Sequence, residues 1–180
     1  MACTPTLGSV TFSCDDLGIG GLKKVLIANK ADLDGIVTVA NNVVTIAPST
    51  TGLVTDGDAV EIQFNLKDGF SVFSEVKTVS ADGTVSSVPT ISIEIPKMSA
   101  DHRNELDNIA SPGVELVAFV ETAAGTYHMV GYEYGLYAGT VDGNSGTGRS
   151  EKNRYQITLT GEEDSLSYAI ASTEWADVIA

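Results

Sequence analysis

The sequence predicts a mainly β domain with one helix. Three observations carry this expectation. Of the 180 residues, 49 are β-branched (19 Val, 12 Ile and 18 Thr), a composition suited to pleated sheets. Several segments alternate strictly between apolar and polar residues. A single segment, Ser99–Ala110, combines helical spacing with start and stop signals.

Taken in order, residues 1–21 read as an N-terminal arm. Leu22–Asn29 (LKKVLIAN) is the first strand. Ile36–Ala40 and Val43–Ile46 flank Asn41-Asn42, a two-residue hairpin signal. Pro48–Asp58 is a loop rich in Thr, Gly and Asp. Ala59–Lys67 alternates, with Val60, Ile62, Phe64 and Leu66 opposite Glu61, Gln63, Asn65 and Lys67. Thr90–Ile95 does the same, with Ile91, Ile93 and Ile95 opposite Ser92 and Glu94. Between them, Phe70–Val88 mixes Phe73, Glu75 and Lys77 on one face and turns at Ala81-Asp82-Gly83. It reads as a hairpin arm projecting from the core, because neither face is apolar enough to be buried in a monomer.

The helix starts at Ser99, a good N-cap, with Asp101 complementing the positive helix end. Leu106, Ile109 and Ala110 form its inward stripe, and Ser111-Pro112-Gly113 stops it. Strand Val114–Glu121 and a turn at Ala123-Ala124-Gly125 lead into a strand Tyr127–Ala138. Val130, Tyr132, Tyr134, Leu136 and Ala138 share one face of it; Gly131 and Gly135 on the other suggest curvature or close backbone approach. Residues 141–152 read as a flexible loop, and Asn153–Gly161 as a strand with Tyr155, Ile157 and Leu159 inward. Tyr168–Ala171 and Trp175 close the chain.

The charge restricts function. A net charge of −14 at pH 7 argues against a surface that grips DNA or RNA, which needs clustered Lys and Arg. Length and an apolar content of 43% fit one domain, 1–180, with one core. Cys3 and Cys14 read as two reduced thiols rather than a disulfide framework. The N-terminus lacks signal-peptide character and no apolar run suffices for a membrane helix, so no membrane partner is expected.

Motifs for chemistry are weak. Gly143–Ser150 has phosphate-loop glycine spacing, with Arg149 where Lys belongs, but leads into a strand rather than a helix. His102 and His128 lie on different elements without ligand-type partners at metal spacing. Asp32-Leu-Asp34-Gly35 and Asp56-Gly-Asp58 lack the EF-hand pattern. The strand carboxylates Glu61, Glu94, Glu115, Glu121 and Glu133 read as a solvated sheet face. No nucleophile elbow occurs. The expectation is no catalytic residue, no metal site and no cofactor. An assembly subunit accounts for the arm, the half-wet sheets and the polar loops together, because an unsatisfied hairpin invites edge pairing with neighbours.

The element order, with Lys97-Met-Ser-Ala-Asp-His-Arg-Asn-Glu-Leu106 as helix and Gly148-Arg-Ser-Glu-Lys-Asn-Arg-Tyr-Gln-Ile-Thr-Leu-Thr-Gly-Glu-Glu163 as last strand, resembles tail tube proteins of tailed bacteriophages. The second stretch is similar to small structural proteins of Bacteroidetes phages. The resemblance covers most of residues 22–171. It implies a β-sandwich or barrel subunit that assembles with itself into hexameric rings, stacked as a tube with other phage tail proteins. DNA would pass through an acidic channel without specific binding, in a virion tail assembled in the host cytoplasm. The inter-subunit contacts would come from the 70–88 arm (Phe70, Val72, Phe73, Val76, Val79 and Asp82), with Pro48–Asp58 next. The lumen face would carry Glu61, Gln63, Ser92 and Glu94. A capsid-decorating or head-to-tail connector protein is the alternative. An acidic β-sandwich binding carbohydrate or Ca²⁺ is a third class, and it predicts an exposed aromatic platform.

Overall fold

The computed structural model describes residues 20–47, 59–63, 71–148 and 151–179. Cys3, Cys14, Phe70 and the Pro48–Asp58 loop lie outside them. The fold is mainly β and antiparallel, with strands β1 (Leu22–Asn29), β2 (Val37–Ala40), β3 (Val43–Ile46), β4 (Ala59–Gln63), β5 (Val72–Val79) and β6 (Val85–Pro96). Helix α1 (Ala100–Ile109) follows, then β7 (Leu116–Thr122), β8 (Tyr127–Val130), β9 (Leu136–Asn144), β10 (Arg154–Gly161), β11 (Tyr168–Ile170) and helix α2 (Ser172–Ile179).

One half of the main sheet runs β4-β1-β7-β8-β11, and the other runs β9-β10-β6-β5. The halves are joined by the pairing of Leu116 with Leu136. The sheet does not close into a barrel: among the described residues β4, β5 and β11 each pair on one side only. Of the expected β-sandwich or barrel, the closed barrel is thus corrected: the described residues form an open antiparallel sheet whose two halves share a core. That core joins Val25, Ile27, Ala118 and Val120 from the first half to Ile91, Ile93, Ile157 and Leu159 from the second, with Leu106 and Ile109 of α1.

A second core lies on the other face of β1 and β7. Leu26, Ala28, Val117 and Phe119 meet Val37, Val44 and Ile46 of the β2–β3 hairpin, Ile170 of β11, and Trp175 and Val178 of α2. Both faces of β1 and β7 are therefore buried, which is why Val25–Ala28 and Leu116–Val120 read as unbroken apolar runs. Each fully buried side chain here contributes roughly 1.5–3 kcal/mol.

Local chemistry explains most boundaries. Asn41 and Asn42 take φ of 52° and 62°, the left-handed pair that a two-residue hairpin turn requires. Ser99 caps α1 by accepting from the His102 N–H at 3.3 Å. Ala110 is exposed and outside the inward stripe, leaving Leu106 and Ile109 to seat the helix.

Three expectations are corrected. The strand read over Tyr127–Ala138 breaks at residues 131–135, where the chain passes from one half-sheet to the other. Gly131 and Gly135 have φ of 86° and 87° there, so Tyr132 packs on the second core while Tyr134 is exposed. The 141–152 loop begins as strand, because β9 continues to Asn144, opposite Arg154; residues 145–148 and 151–152 are irregular as expected. Its polar side chains are exposed on this hairpin end, so ladder hydrogen bonds rather than burial define it. Finally, a second helix, α2, stands where the sequence reading placed only Trp175.

Candidate functional site

The β5–β6 arm is built by a continuous register, from Val72 opposite Ser92 to Val79 opposite Val85. Its turn is fixed by Asp82, whose Oδ1 accepts from the Thr84 N–H at 3.0 Å and from the Thr84 hydroxyl at 2.7 Å. Those bonds from Thr84 hold the Asp82 carboxyl below its ordinary pKa. Gly83, at φ 89°, supplies the left-handed residue.

Valines are exposed on both faces of the arm. Val72, Val76 and Val88 lie on one face, with Val76 61% exposed; Val79 and Val85 lie on the other, with Val79 69% exposed. Among the described residues β5 is also an open edge of the sheet. Exposed β-branched residues on an unpaired edge form a template for pairing with another chain.

The arm does not project over its whole length. Phe73 packs against the first core and lies 5.9 Å, centroid to centroid, from His128. The Glu75 carboxylate accepts from the Ser167 hydroxyl at 3.0 Å and from the Ser167 N–H. Ser87 and Glu163 exchange backbone hydrogen bonds of 2.7 and 2.8 Å. The inner face at the base of the arm is thus tied down by the segment after β10, and the free part starts near Val76. Burial pushes the His128 imidazole below its ordinary pKa, with Glu75 acting in the opposite direction.

Of the residues assigned to a lumen, Ser92 and Glu94 share the face of β6 opposite Ile91 and Ile93, where Glu94 is buried. The Gln156 side chain donates to Ser92 Oγ at 3.2 Å. Glu61 and Gln63 lie on β4, in the other half of the sheet. The structure does not place the four on one strand surface.

The strand carboxylates are not uniformly solvated either. Glu94 is 7% exposed and Glu121 is 5% exposed. Glu94 receives Lys152 at 3.0 Å and Arg154; Glu121 receives Lys23. Glu61 is half-buried beside Lys24. Pairing offsets the desolvation that burial imposes on each carboxylate, a signal invisible in strand alternation alone.

At the crossover between the half-sheets, two acidic side chains each accept from backbone of the other's segment. Glu163 accepts from the N–H groups of Glu133 and Tyr134 at 3.0 and 3.2 Å. Glu133 accepts from the Asp164 N–H at 2.8 Å, the Ser165 hydroxyl at 2.9 Å and the Tyr168 hydroxyl. Burial raises the Glu163 pKa against those N–H bonds. Burial also acts upward on Glu133, but donors from Tyr168, Asp164 and Ser165 outweigh it and lower its pKa. The sequence placed Glu133 in a strand and gave Glu163 no role.

The glycine run at 143–150 has structural uses. A Cβ on Gly143 would come within 2.9 Å of the Tyr155 ring and 3.1 Å of Met98 Cε. Among the described residues no helix starts between β9 and β10, so none of them offers a helix N-terminus to a phosphate. Among the described residues no cluster of His, Cys, Asp or Glu has the arrangement of a metal site, and no helix is long and apolar enough to cross a membrane. Comparison with protein-family models, with curated proteins and with solved structures gives no match.

Proposed function

We propose that the protein is a virion structural subunit, a tail tube protein of a tailed bacteriophage, that assembles through its β5–β6 arm into stacked, hexameric rings around a DNA channel. The observation that carries this reading is the arm itself: valines exposed on both faces of an open sheet edge. A monomer leaves that surface in water at a cost of ~25 cal/mol per Å², whereas a neighbouring copy can both cover the valines and extend the ladder. Repetition of such a head-to-tail contact closes into rings or continues as a tube. The net charge of −14 suits a conduit that must not hold phosphate.

The test is negative-stain microscopy with light scattering on the full chain over a concentration series. Rings or tubes are expected, and a Val76→Lys/Val79→Lys variant, altered only at exposed positions, keeps its fold and loses them. Wild-type protein that stays monomeric, alone and with virion partners, refutes the reading. Small closed oligomers that bind capsid shells and form no filament replace it with a decorating or connector role.

A further inference from the structure

The six tyrosines divide sharply. Tyr155 packs against the first core, and Tyr127, Tyr132 and Tyr168 pack against the second. Tyr134 and Tyr137 pack on neither: they are 58% and 56% exposed. Both line one open groove of about 460 Å³, together with Ser86, Gly135, Glu162, Glu163 and Asp164. The volume falls in the range of small-molecule sites, roughly 300–1,000 Å³.

The two aromatic side chains sit on ordered backbone. Tyr137 lies in β9, opposite Thr160 of β10. Tyr134 donates its hydroxyl to Asp164 Oδ2 at 3.0 Å, and its N–H is held by Glu163. A ligand would therefore meet groups already fixed in place, which lowers the ordering cost of binding.

The lining chemistry selects the ligand. The groove presents two aromatic side chains, three carboxylates and a serine hydroxyl, with no Lys or Arg among the described residues of its walls. An anion would meet the like charge of three carboxylates. A metal cation is the weaker match, because the carboxylates among the described residues form no cluster that could hold a metal ion. A neutral sugar supplies hydroxyl donors for an acceptor-rich wall and an apolar C–H face for tyrosine.

We propose that the groove between Tyr134 and Tyr137 is a binding site for a neutral carbohydrate, held by stacking on tyrosine and by hydroxyls donating to Glu162 and Asp164. This site stands independently of the assembly reading. The experiment is saturation-transfer NMR on the full chain with neutral oligosaccharides of glucose, mannose, galactose and N-acetylglucosamine, followed by titration of those that respond. At least one is expected to bind. Tyr134→Ala and Tyr137→Ala should each weaken it about tenfold, equivalent to ~1.4 kcal/mol, at unchanged melting temperature. Tyr134→Phe, which keeps the ring, should retain most of the affinity and serves where the alanine variant folds poorly. Absence of binding across the panel at millimolar saccharide overturns the proposal. So does binding that survives the Tyr134→Ala/Tyr137→Ala double variant, or binding of tetramethylammonium where no saccharide binds.

Discussion

Gly131→Ala separates two costs that meet at the crossover. Gly131 sits at φ 86°, where an L side chain is strained by about 1–2 kcal/mol. A Cβ there would also come within 2.6 Å of Leu136 Cγ and 2.9 Å of the Leu116 carbonyl oxygen. Leu116 and Leu136 are the pair that joins the half-sheets, so neither can retreat freely. Overpacking of this kind costs about 1–3 kcal/mol, and the two terms together give about 2–5 kcal/mol. At roughly 2–4 °C per kcal/mol for a chain of this size, the melting temperature should fall by about 4–20 °C. Two controls divide the sum. Gly125 has φ 81° with nothing within 4 Å of an added Cβ, so Gly125→Ala isolates the strain, about 1–2 kcal/mol. Gly148 has open space and no left-handed φ, so Gly148→Ala should stay within about 0.5 kcal/mol of wild type. Denaturant titration of the three variants gives the comparison. Equal losses for Gly131→Ala and Gly125→Ala would refute the close packing at the junction.

Trp175 is 4% exposed and stacks on Tyr127 at 4.8 Å, so Trp175→Ala should cost about 3–5 kcal/mol by calorimetry or denaturant unfolding. Glu75→Ala strands the Ser167 N–H and hydroxyl; a loss of about 1.5–3 kcal/mol is expected, with faster amide exchange across Val72–Val79. His128 has a lowered pKa, so protonation costs the folded state more than the unfolded one. Its contribution to stability is present above the ordinary histidine value near 6.5 and is lost as pH falls through it. Unfolding measured between about pH 8 and 5.5 should show a shallower slope in His128→Gln than in wild type. Glu163, with its raised pKa, works in the opposite direction: acid relieves its desolvation, which is why the comparison is made between variant and wild type.

Where one residue type decides a conformation, the sequence was legible. Asn41-Asn42 announced the β2–β3 turn, Ser99 the start of α1, and alternation the inward sides of β6 and β10. Composition misled where polar residues still pair. Val141–Asn144 looks like loop because its side chains are wet, yet its backbone ladder with β10 is complete enough to be strand. Helix α2 is only eight residues long, too short for a periodic pattern to stand out. Its signal was Trp175 and Val178 at i, i+3 after Ser172-Thr173-Glu174. The candidate surfaces were half legible. The arm showed as a hairpin without a buried face, but its anchoring through Glu75 and Ser167 joins residues 92 positions apart. The Tyr134–Tyr137 groove depends on the break at Gly131 and Gly135, which turns one apparent strand face into two surroundings.

The doubly covered strand β1 also constrains how the chain can be made. Its partners in the ladder are β4 and β7, and the β7 register begins with Asn29 opposite Leu116. A ribosome adding 5–20 residues per second needs roughly 4–17 s to travel from the end of β1 to the start of β7. Throughout that interval Val25-Leu26-Ile27-Ala28, the most apolar stretch of β1, has no partner on its β7 side. The nascent chain therefore carries an apolar strand unpaired early, the condition in which slow synthesis favours aggregation and a chaperone that shields the strand favours folding.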